Sequence, residues 1–493
     1  MKVLLVSPLY PDSFWSFRHA LRFISKKAAE PPLGLITVSA MFPVSWQKKL
    51  VDMNVQSLQV KDLKWADYVF ISAMQIQQHS VRKIIDECTR LGVKIVAGGP
   101  LFTQEYDEYP EVDHLILNEA EITFPLFLND LAEGKAKRVY QTHEFSDISK
   151  TPVPDFHLLS RKHYASMSLQ VSRGCPFSCE FCEISSLNGH EVRTKSNGQI
   201  IAELDTLYNL NWRGPVFIVD DNFIGNKKVI KYSLLPAINL WMKQHKYPFS
   251  FTTEASINMA DDKDLLFLMA DSGFNSVFVG IETPEETSLN ECNKTQNKGR
   301  NLIESVKVIQ QAGFQVSGGF IVGFDSDSSS VFQRQVDFIQ QSGIVSAMVG
   351  LLNAPRHTKL YSRLKAENRL RNETSGNNTD LTMNFTPVMN YHELVAGYKK
   401  IIHDIYTTKP FYQRTRQLLL NYQPSGRKPV IITLASILAL VKSIFIIGLI
   451  NKGRSDYWKF LIWTLFRRPS LVVDAVTFSI YGYHFRKVYG LSG

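Results

Sequence analysis

Five short apolar runs, each closed by glycine, proline or polar residues, punctuate the first 150 residues: KVLLVSP, KKLVDMNV, YVFISAM, KIVAGGP and DHLILNE. Each predicts a buried strand. Between them lie stretches of helical period such as SVRKIIDECTRLG, where apolar side chains recur every three or four positions and Gly92 supplies the stop. Strand and helix in alternation predict a doubly wound parallel sheet, which binds ligands at the carboxyl ends of its strands. Gly98 and Gly99 end the fourth run and would let the backbone approach a ligand, although a Gly-Gly-Pro also ends many strands that bind nothing.

Residues 151–159, TPVPDFHLL, are broken by prolines and read as a linker. Alternation resumes at Ser168 with SLQVSRG, VFIVDDN, FSFTTEAS, SVFVGIE, GGFIVGF and AMVGLLNA, separated by helical stretches such as IIAELDTLYNLNW and NLIESVKVIQQAGF. Six such units predict a partial or full parallel barrel, whose chemistry collects at the strand C-terminal ends. Beyond residue 370 come a polar loop, SGNNTD, a helical HELVAGYKKIIHDIYT, and an aromatic, basic, apolar tail. The expected class is α/β in three parts: residues 1–150 a doubly wound domain, 160–370 a partial (β/α)6 barrel, and 380–493 a helical region.

A chain of 493 residues is too long for one core, and 44% hydrophobic with 20% charged residues excludes a disordered protein. Its five cysteines are too few for an extracellular disulfide scaffold, and three of them fall within eight residues. That clustering points to a metal site in a reducing compartment. The opening MKVLLVSPLYP is too short an apolar run for a secretory signal, so a cytoplasmic protein is expected. The net charge of +9 is unevenly spread: from Phe411 to Gly493 there are twelve Lys and Arg against two Asp.

The cysteine run is Gly174-Cys175-Pro176-Phe177-Ser178-Cys179-Glu180-Phe181-Cys182, a Cys-x3-Cys-x2-Cys spacing directly after a strand. Three thiolates can hold a four-iron cubane and leave one iron open. An open iron can take the amino and carboxylate groups of S-adenosylmethionine and pass an electron to its sulfonium, releasing a 5′-deoxyadenosyl radical. Phe181, just before the third cysteine, is placed to pack on adenine. Zinc is the competing metal, but it needs a fourth ligand, for which Cys292 or His190 would have to serve. Three structural thiols are the other alternative.

This cysteine motif resembles that of the radical S-adenosylmethionine superfamily, and the whole chain resembles its cobalamin-binding branch. VDDNFIGN, TEASIN, VFVGIETP, GGFIVGFDSD and AMVGLL are similar to the subgroup that includes the hopanoid C-2 methylases, over about residues 1 to 415. The resemblance implies that Cys175, Cys179 and Cys182 hold a [4Fe-4S] cluster. It implies that Asp220, Asp221 and Asn222 meet the methionine part of S-adenosylmethionine, and that Glu254 and Ser256 meet its ribose. Glu282, with Gly280 and Gly319–Gly323, would line the same cavity. The plainer roles are a helix cap for Asp220 to Asn222 and an ion pair for Glu254. Cys88 and Cys292 read as core or surface residues.

Cobalamin is implied over the first sheet, near Gly98, Gly99 and the LNEAE run at 117–121. The chain has no Asp-x-His-x-x-Gly motif to supply an axial histidine; its equivalent stretch is YPDSFWSFRHALRF. It also carries Pro355-Arg356-His357-Thr358 where relatives tend to have a Pro-Gly-Thr turn.

An unactivated carbon has neither an acidic proton nor a nucleophilic pair, so joining a radical source to a methyl carrier implies radical C-methylation. A flavodoxin- or ferredoxin-type reductant is implied as partner. A cyclase or oxidase with the same cofactors, and a non-catalytic cobalamin or redox sensor, are the rivals. In the tail, VIITLASILALVKSIFIIGLI (430–450) has one charge, and basic residues flank it on both sides. It reads three ways: docked at a membrane interface, buried against the barrel, or spanning the membrane. Nucleic acid is not expected, since no recognition fold accompanies the charge. A peripheral enzyme on the inner face of the cell membrane would suit a hopanoid or other polycyclic or isoprenoid lipid substrate.

Overall fold

The computed structural model describes residues 1–371, 375–424 and 434–491. Six parallel strands form the first sheet: β1 (Lys2–Ser7), β2 (Gln47–Asp52), β3 (Tyr68–Ser72), β4 (Lys94–Gly98), β5 (His114–Ile116) and β6 (Val139–Tyr140). Their order is β2-β1-β3-β4-β5-β6, so the strand order reverses at β1 and β3. Both faces are covered. Leu4 and Val6 point into a cluster with Ile84, Ile85 and Cys88, while Val3 and Leu5 point into one with Phe70, Phe124 and Phe127. Helix Gln78–Leu91 buries Val81, Ile84, Ile85 and Cys88 and ends at Gly92 in the left-handed region (φ 67°). Cys88 is therefore a core residue, as expected. The sixth strand has no sequence signal because only Val139 and Tyr140 pair within a charged stretch.

The proline-rich segment 151–159 is a packed strap, not a loose linker. Phe156 and Leu159 are buried, and Asp155 receives the Lys48 ammonium at 2.6 Å.

The second sheet is parallel and open. Its strands are β7 (Met167–Leu169), β10 (Gly214–Ile218), β11 (Phe249–Glu254), β12 (Phe274–Glu282), β13 (Gln315–Val322) and β14 (Ala347–Leu351), in the order β14-β13-β12-β11-β10-β7. The barrel is thus partial. The run SLQVSRG, expected as one strand, breaks in two: after β7 the chain turns into β8 (Ser172–Arg173), which pairs antiparallel with β9 (Arg193–Thr194). The buried Asp220 carboxylate causes the break by accepting from Val171 N at 2.7 Å and Ser172 Oγ at 2.6 Å.

The C-terminal helices fold back on both sheets. Tyr391–Tyr406 and Thr408–Asn421 lie against the barrel, where the Tyr406 hydroxyl donates to Ala347 O at 2.7 Å. Val472–Val488 reaches the N-terminal domain, with Phe485 stacked on Phe14 at 4.3 Å and His484 Nε2 3.0 Å from Phe14 O. Among the described residues no helix is long and apolar enough to cross a membrane. The stretch 430–450 begins outside the described residues; its described part is a helix, Leu434–Ser443, followed by a π-helical turn, Ile444–Ile450.

Candidate functional site

The three clustered cysteines occupy the loop between β8 and β9, at the C-terminal edge of the second sheet. Gly174 opens that loop with φ 98°, and a Cβ there would collide with Glu191 O, so only glycine permits the turn. Cys175 N donates to Gly189 O, Cys182 N to Cys179 O, and Glu180 N to Cys292 O. All five cysteines are free thiols. Burial pushes the Cys182 thiol up to about 12, while nearby Lys294 pulls it back. Burial alone would lower the Lys294 ammonium, but Glu282 at 2.7 Å and the thiols of Cys179 and Cys182 hold it high instead. Three thiols and a buried cation make a donor set suited to an anionic iron–sulfur cluster. Cys292 is buried beside them, its Sγ directed to Leu289 O at 3.7 Å, and His190 is exposed.

The other expected residues sort into those bonded within the protein and those facing open space. Asp220 clamps β7 to β8, and burial pushes its carboxyl up to about 7. Asp221 accepts from Asn188 Nδ2 at 2.9 Å, and Asn222 Oδ1 accepts from Ser256 N at 3.1 Å. Glu282 is paired with Lys294, and a Cβ on Gly280 would collide with that pair. Phe181 packs 6.3 Å from Phe324 in a small apolar cluster that includes Cys292. Glu254 differs from all of these. Its carboxylate has no side-chain partner among the described residues, and burial, then Asp221 and Glu30, push it up to about 8.

Glu30 gave no signal beyond being a lone acid in AAEPPLG. The residue is exposed at the surface of a deep recess in the surrounding protein, which pushes its carboxyl up to about 7. Burial, Glu30 and Asp52 together push the Tyr10 hydroxyl up to about 12. Glu30 of the first domain is therefore near enough to Glu254 of the second to act on it across the domain boundary, as Asp221 does from its own side. Trp15, 41% exposed, reaches over to Phe278 at 5.3 Å.

On the first sheet, the crevice at the β1/β3 reversal holds Tyr10, whose hydroxyl lies 3.7 Å from Met74 Sδ. Gly98 and Gly99 sit at the end of β4. A Cβ on Gly98 would lie 2.6 Å from Ile116 O, and one on Gly99 (φ 89°) 2.7 Å from Ser72 Oγ. Both glycines are thus required by the sheet itself, and they also leave its edge bare. A cavity of about 460 Å³ opens beside that edge, lined by Met74, Gln104 and Pro100 on one side and Glu183, Asn353 and Arg356 on the other. Its bare edge and mixed lining fit a large planar cofactor with amide side arms.

The LNEAE acids are not free. Glu119 takes both Arg193 Nη atoms at 2.6 and 2.8 Å, and Glu121 takes both Arg173 Nη atoms at 2.7 and 3.0 Å. These two arginines lie on β9 and β8, so the first domain grips both ends of the cysteine loop. Arg356 makes a second grip on Asp107 and Glu108, each at 3.4 Å. His357 beside it has φ 66°, the conformation a glycine would take freely.

Three family models match: the B12 binding domain over residues 23–128, the radical SAM superfamily over 169–339, and a domain of unknown function (DUF4070) over 358–491. The chain is 39% identical over 490 residues to an uncharacterized methyltransferase of Synechocystis sp., covering 98% of this chain and 91% of the relative. It is 32% identical over 478 residues to the hopanoid C-2 methylase of Rhodopseudomonas palustris, covering 94% and 90%. Among solved structures, the fold matches the methyltransferase TsrM of Kitasatospora setae, with cobalamin and a [4Fe-4S] cluster bound. The TM-score is 0.61 at 14% identity, covering 96% of this chain and 99% of that one. It also matches OxsB with aqua-cobalamin and S-adenosylmethionine bound (TM-score 0.62, 14% identity, 100% and 84% covered).

Proposed function

The chain belongs to the cobalamin-dependent radical S-adenosylmethionine methyltransferases, in the subgroup of the hopanoid C-2 methylase, and on that premise we propose that it methylates an unactivated carbon of a polycyclic or isoprenoid lipid. Its cofactors are a [4Fe-4S] cluster, S-adenosylmethionine and cobalamin. When bound, they supply a hydrogen-abstracting carbon radical on one side and a transferable methyl group on the other.

The chain's own residues hold, orient and seclude. Cys175, Cys179 and Cys182 hold the cluster, and Lys294, paired to Glu282, offsets its negative charge. Glu254 accepts from the hydroxyl groups of the nucleoside, which gives its otherwise unpartnered carboxylate a donor. Asp221 and Asn222 set the loop after β10 from which that site is reached. On the first domain, the bare edge at Gly98 and Gly99 receives the corrin. Glu30 stands between the two sides with a protonatable oxygen and accepts a substrate hydroxyl. On this reading the space between the two domains is the reaction chamber, from which bulk water must be kept once the ligands are bound, as a radical that abstracts hydrogen requires.

One observation supports the reading: Arg173 and Arg193 pair with Glu121 and Glu119, so the B12-binding domain holds the cysteine loop directly. The lipid class is supported by the similarity to the hopanoid methylase at 32% identity over nearly the whole chain. A flavodoxin- or ferredoxin-type protein supplies the electrons. The test is anaerobic reconstitution with cluster and cobalamin, followed by incubation with membrane lipid extract and a low-potential reductant. A lipid heavier by one CH2, formed with 5′-deoxyadenosine, is expected. Deoxyadenosine with a dehydrogenated or cyclised product and no added carbon would overturn methylation.

A further inference from the structure

A water-soluble helix hides its apolar side and shows its polar one. The helix Leu434–Ser443 and the turn Ile444–Ile450 invert this rule. From 437 to 450 every exposed residue is apolar: Ile437, Leu438, Val441, Phe445, Leu449 and Ile450. Their spacing keeps them on one face, while Ala439, Ser443, Ile447 and Gly448 turn inward. The next helix, Arg454–Arg467, packs along this segment, with Trp458 Nε1 donating to Gly448 O at 2.9 Å and Tyr457 Oη 3.0 Å from Ser443 Oγ. It adds Ile462, Leu465 and Phe466, the last 85% exposed.

Charge decides what covers this face. Lys452, Arg454, Lys459 and Arg467 are exposed along the same two segments. The tail's two acids are both turned inward, Asp456 to Thr408 Oγ1 and Asp474 to Gln315 Nε2, each at 2.7 Å. An apolar face bordered by cations, with no outward acid, complements a hydrocarbon layer under anionic headgroups.

We propose that this face docks the enzyme on an anionic phospholipid bilayer. The segment is well placed for a lipid-handling enzyme: Lys442 Nζ donates to Arg22 O at 3.0 Å and lies 3.1 Å from Ser25 Oγ. Arg22 and Ser25 belong to the segment 14–25, which also carries Trp15 against Phe278 of β12 and leads to Glu30. Docking therefore brings the bilayer to a helix that is bonded to the segment reaching both β12 and Glu30. The inference goes beyond methyl transfer and is read without turnover.

The experiment is co-sedimentation of the full chain with vesicles of phosphatidylcholine alone and of phosphatidylcholine with phosphatidylglycerol. Binding to the anionic vesicles, falling with salt, is expected. Val441→Asp with Phe445→Asp should weaken it roughly tenfold or more, and Lys459→Glu with Arg467→Glu should abolish the preference for anionic lipid. Phe466→Asp changes a side chain that nothing in the fold holds, and it should weaken binding with an unchanged circular dichroism spectrum. The proposal is overturned if the wild type stays in the supernatant, or if all variants sediment equally. It is also overturned if the protein is instead a dimer that the aspartate variants make monomeric, which assigns the face to a second copy.

Discussion

Replacing Arg193 by methionine tests whether the first domain holds the cysteine loop. The Arg193 side chain is 16% exposed and Glu119 6%, with both Nη atoms within 2.8 Å of the carboxylate. Removing one partner of so buried a pair leaves an uncompensated charge, at a cost of about 3–5 kcal/mol. Arg173, 3.7 Å from Glu119, takes up part of the load, so the lower end, about 3 kcal/mol, is expected. The pH dependence has a definite sign. In the wild type burial pushes the Glu119 carboxyl up, but Arg193, Ser146 and Arg173 outweigh burial and hold it below the usual range. A depressed carboxyl contributes stability that is present above its ordinary value and lost as pH falls through the folded one. Without Arg193 burial dominates, the carboxyl takes up a proton, and the gap between variant and wild type closes toward acid. Urea unfolding followed by circular dichroism measures this. Adding Glu119→Gln removes the stranded charge and should recover most of the loss. A cost below about 0.5 kcal/mol, or no recovery in the double variant, would refute a buried interdomain pair.

Three further outcomes are expected. Alanine at Cys175, Cys179 or Cys182 should each remove most of the iron and labile sulfide per chain and all cleavage of S-adenosylmethionine, whereas Cys292→Ala should retain the cluster. Glu254, raised from 4.5 to about 8 by burial and its acidic neighbours, binds a proton more tightly folded than unfolded. It contributes stability at low pH that is lost as pH rises to about 8, so the urea midpoint of cofactor-free Glu254→Gln should fall less than that of the wild type between those values. His357→Gly should stabilise the chain by about 0.5–1 kcal/mol, because relief of a left-handed histidine exceeds the added freedom of the unfolded glycine; a loss on thermal unfolding would contradict it.

What could be read along the chain was what local chemistry dictates. Ten of the apolar runs became strands because parallel sheets bury both faces, and Gly92 ends its helix where a left-handed residue is needed. The cysteine loop was legible because its spacing is short-range. What escaped depends on partners far away in sequence. Asp220 breaks the seventh strand by bonding 48 and 49 residues back, and no pattern within SLQVSRG announces it. The resemblance led to Glu119 and Glu121 being expected beside cobalamin, yet they are held by arginines that flank the cysteines, Arg193 after them and Arg173 before them. Glu30 carries no local signal at all, because its neighbour Glu254 is more than two hundred positions away along the chain.

These long-range contacts share a location, and that location explains them. A radical must meet its target before it meets anything else, so the two cofactor sites need a fixed separation. Three separate contacts fix it here. Arg173 and Arg193 tie the cysteine loop to β5's end, and Arg356 ties the barrel's last loop to Asp107 and Glu108. Phe14 and Trp15 pack against the tail and β12. With these contacts the two domains are joined to each other without any ligand present. Among the described residues Glu30 and Glu254 have no side-chain partner; on the proposed reading Glu254 meets the nucleoside and Glu30 the substrate, so an uncharged replacement at Glu30 should alter which substrate is taken while leaving deoxyadenosine production intact. If Glu30→Gln instead stopped S-adenosylmethionine cleavage and left lipid choice unchanged, the carboxylate would belong to the cluster side of the chamber, and the assignment of its substrate role would fail.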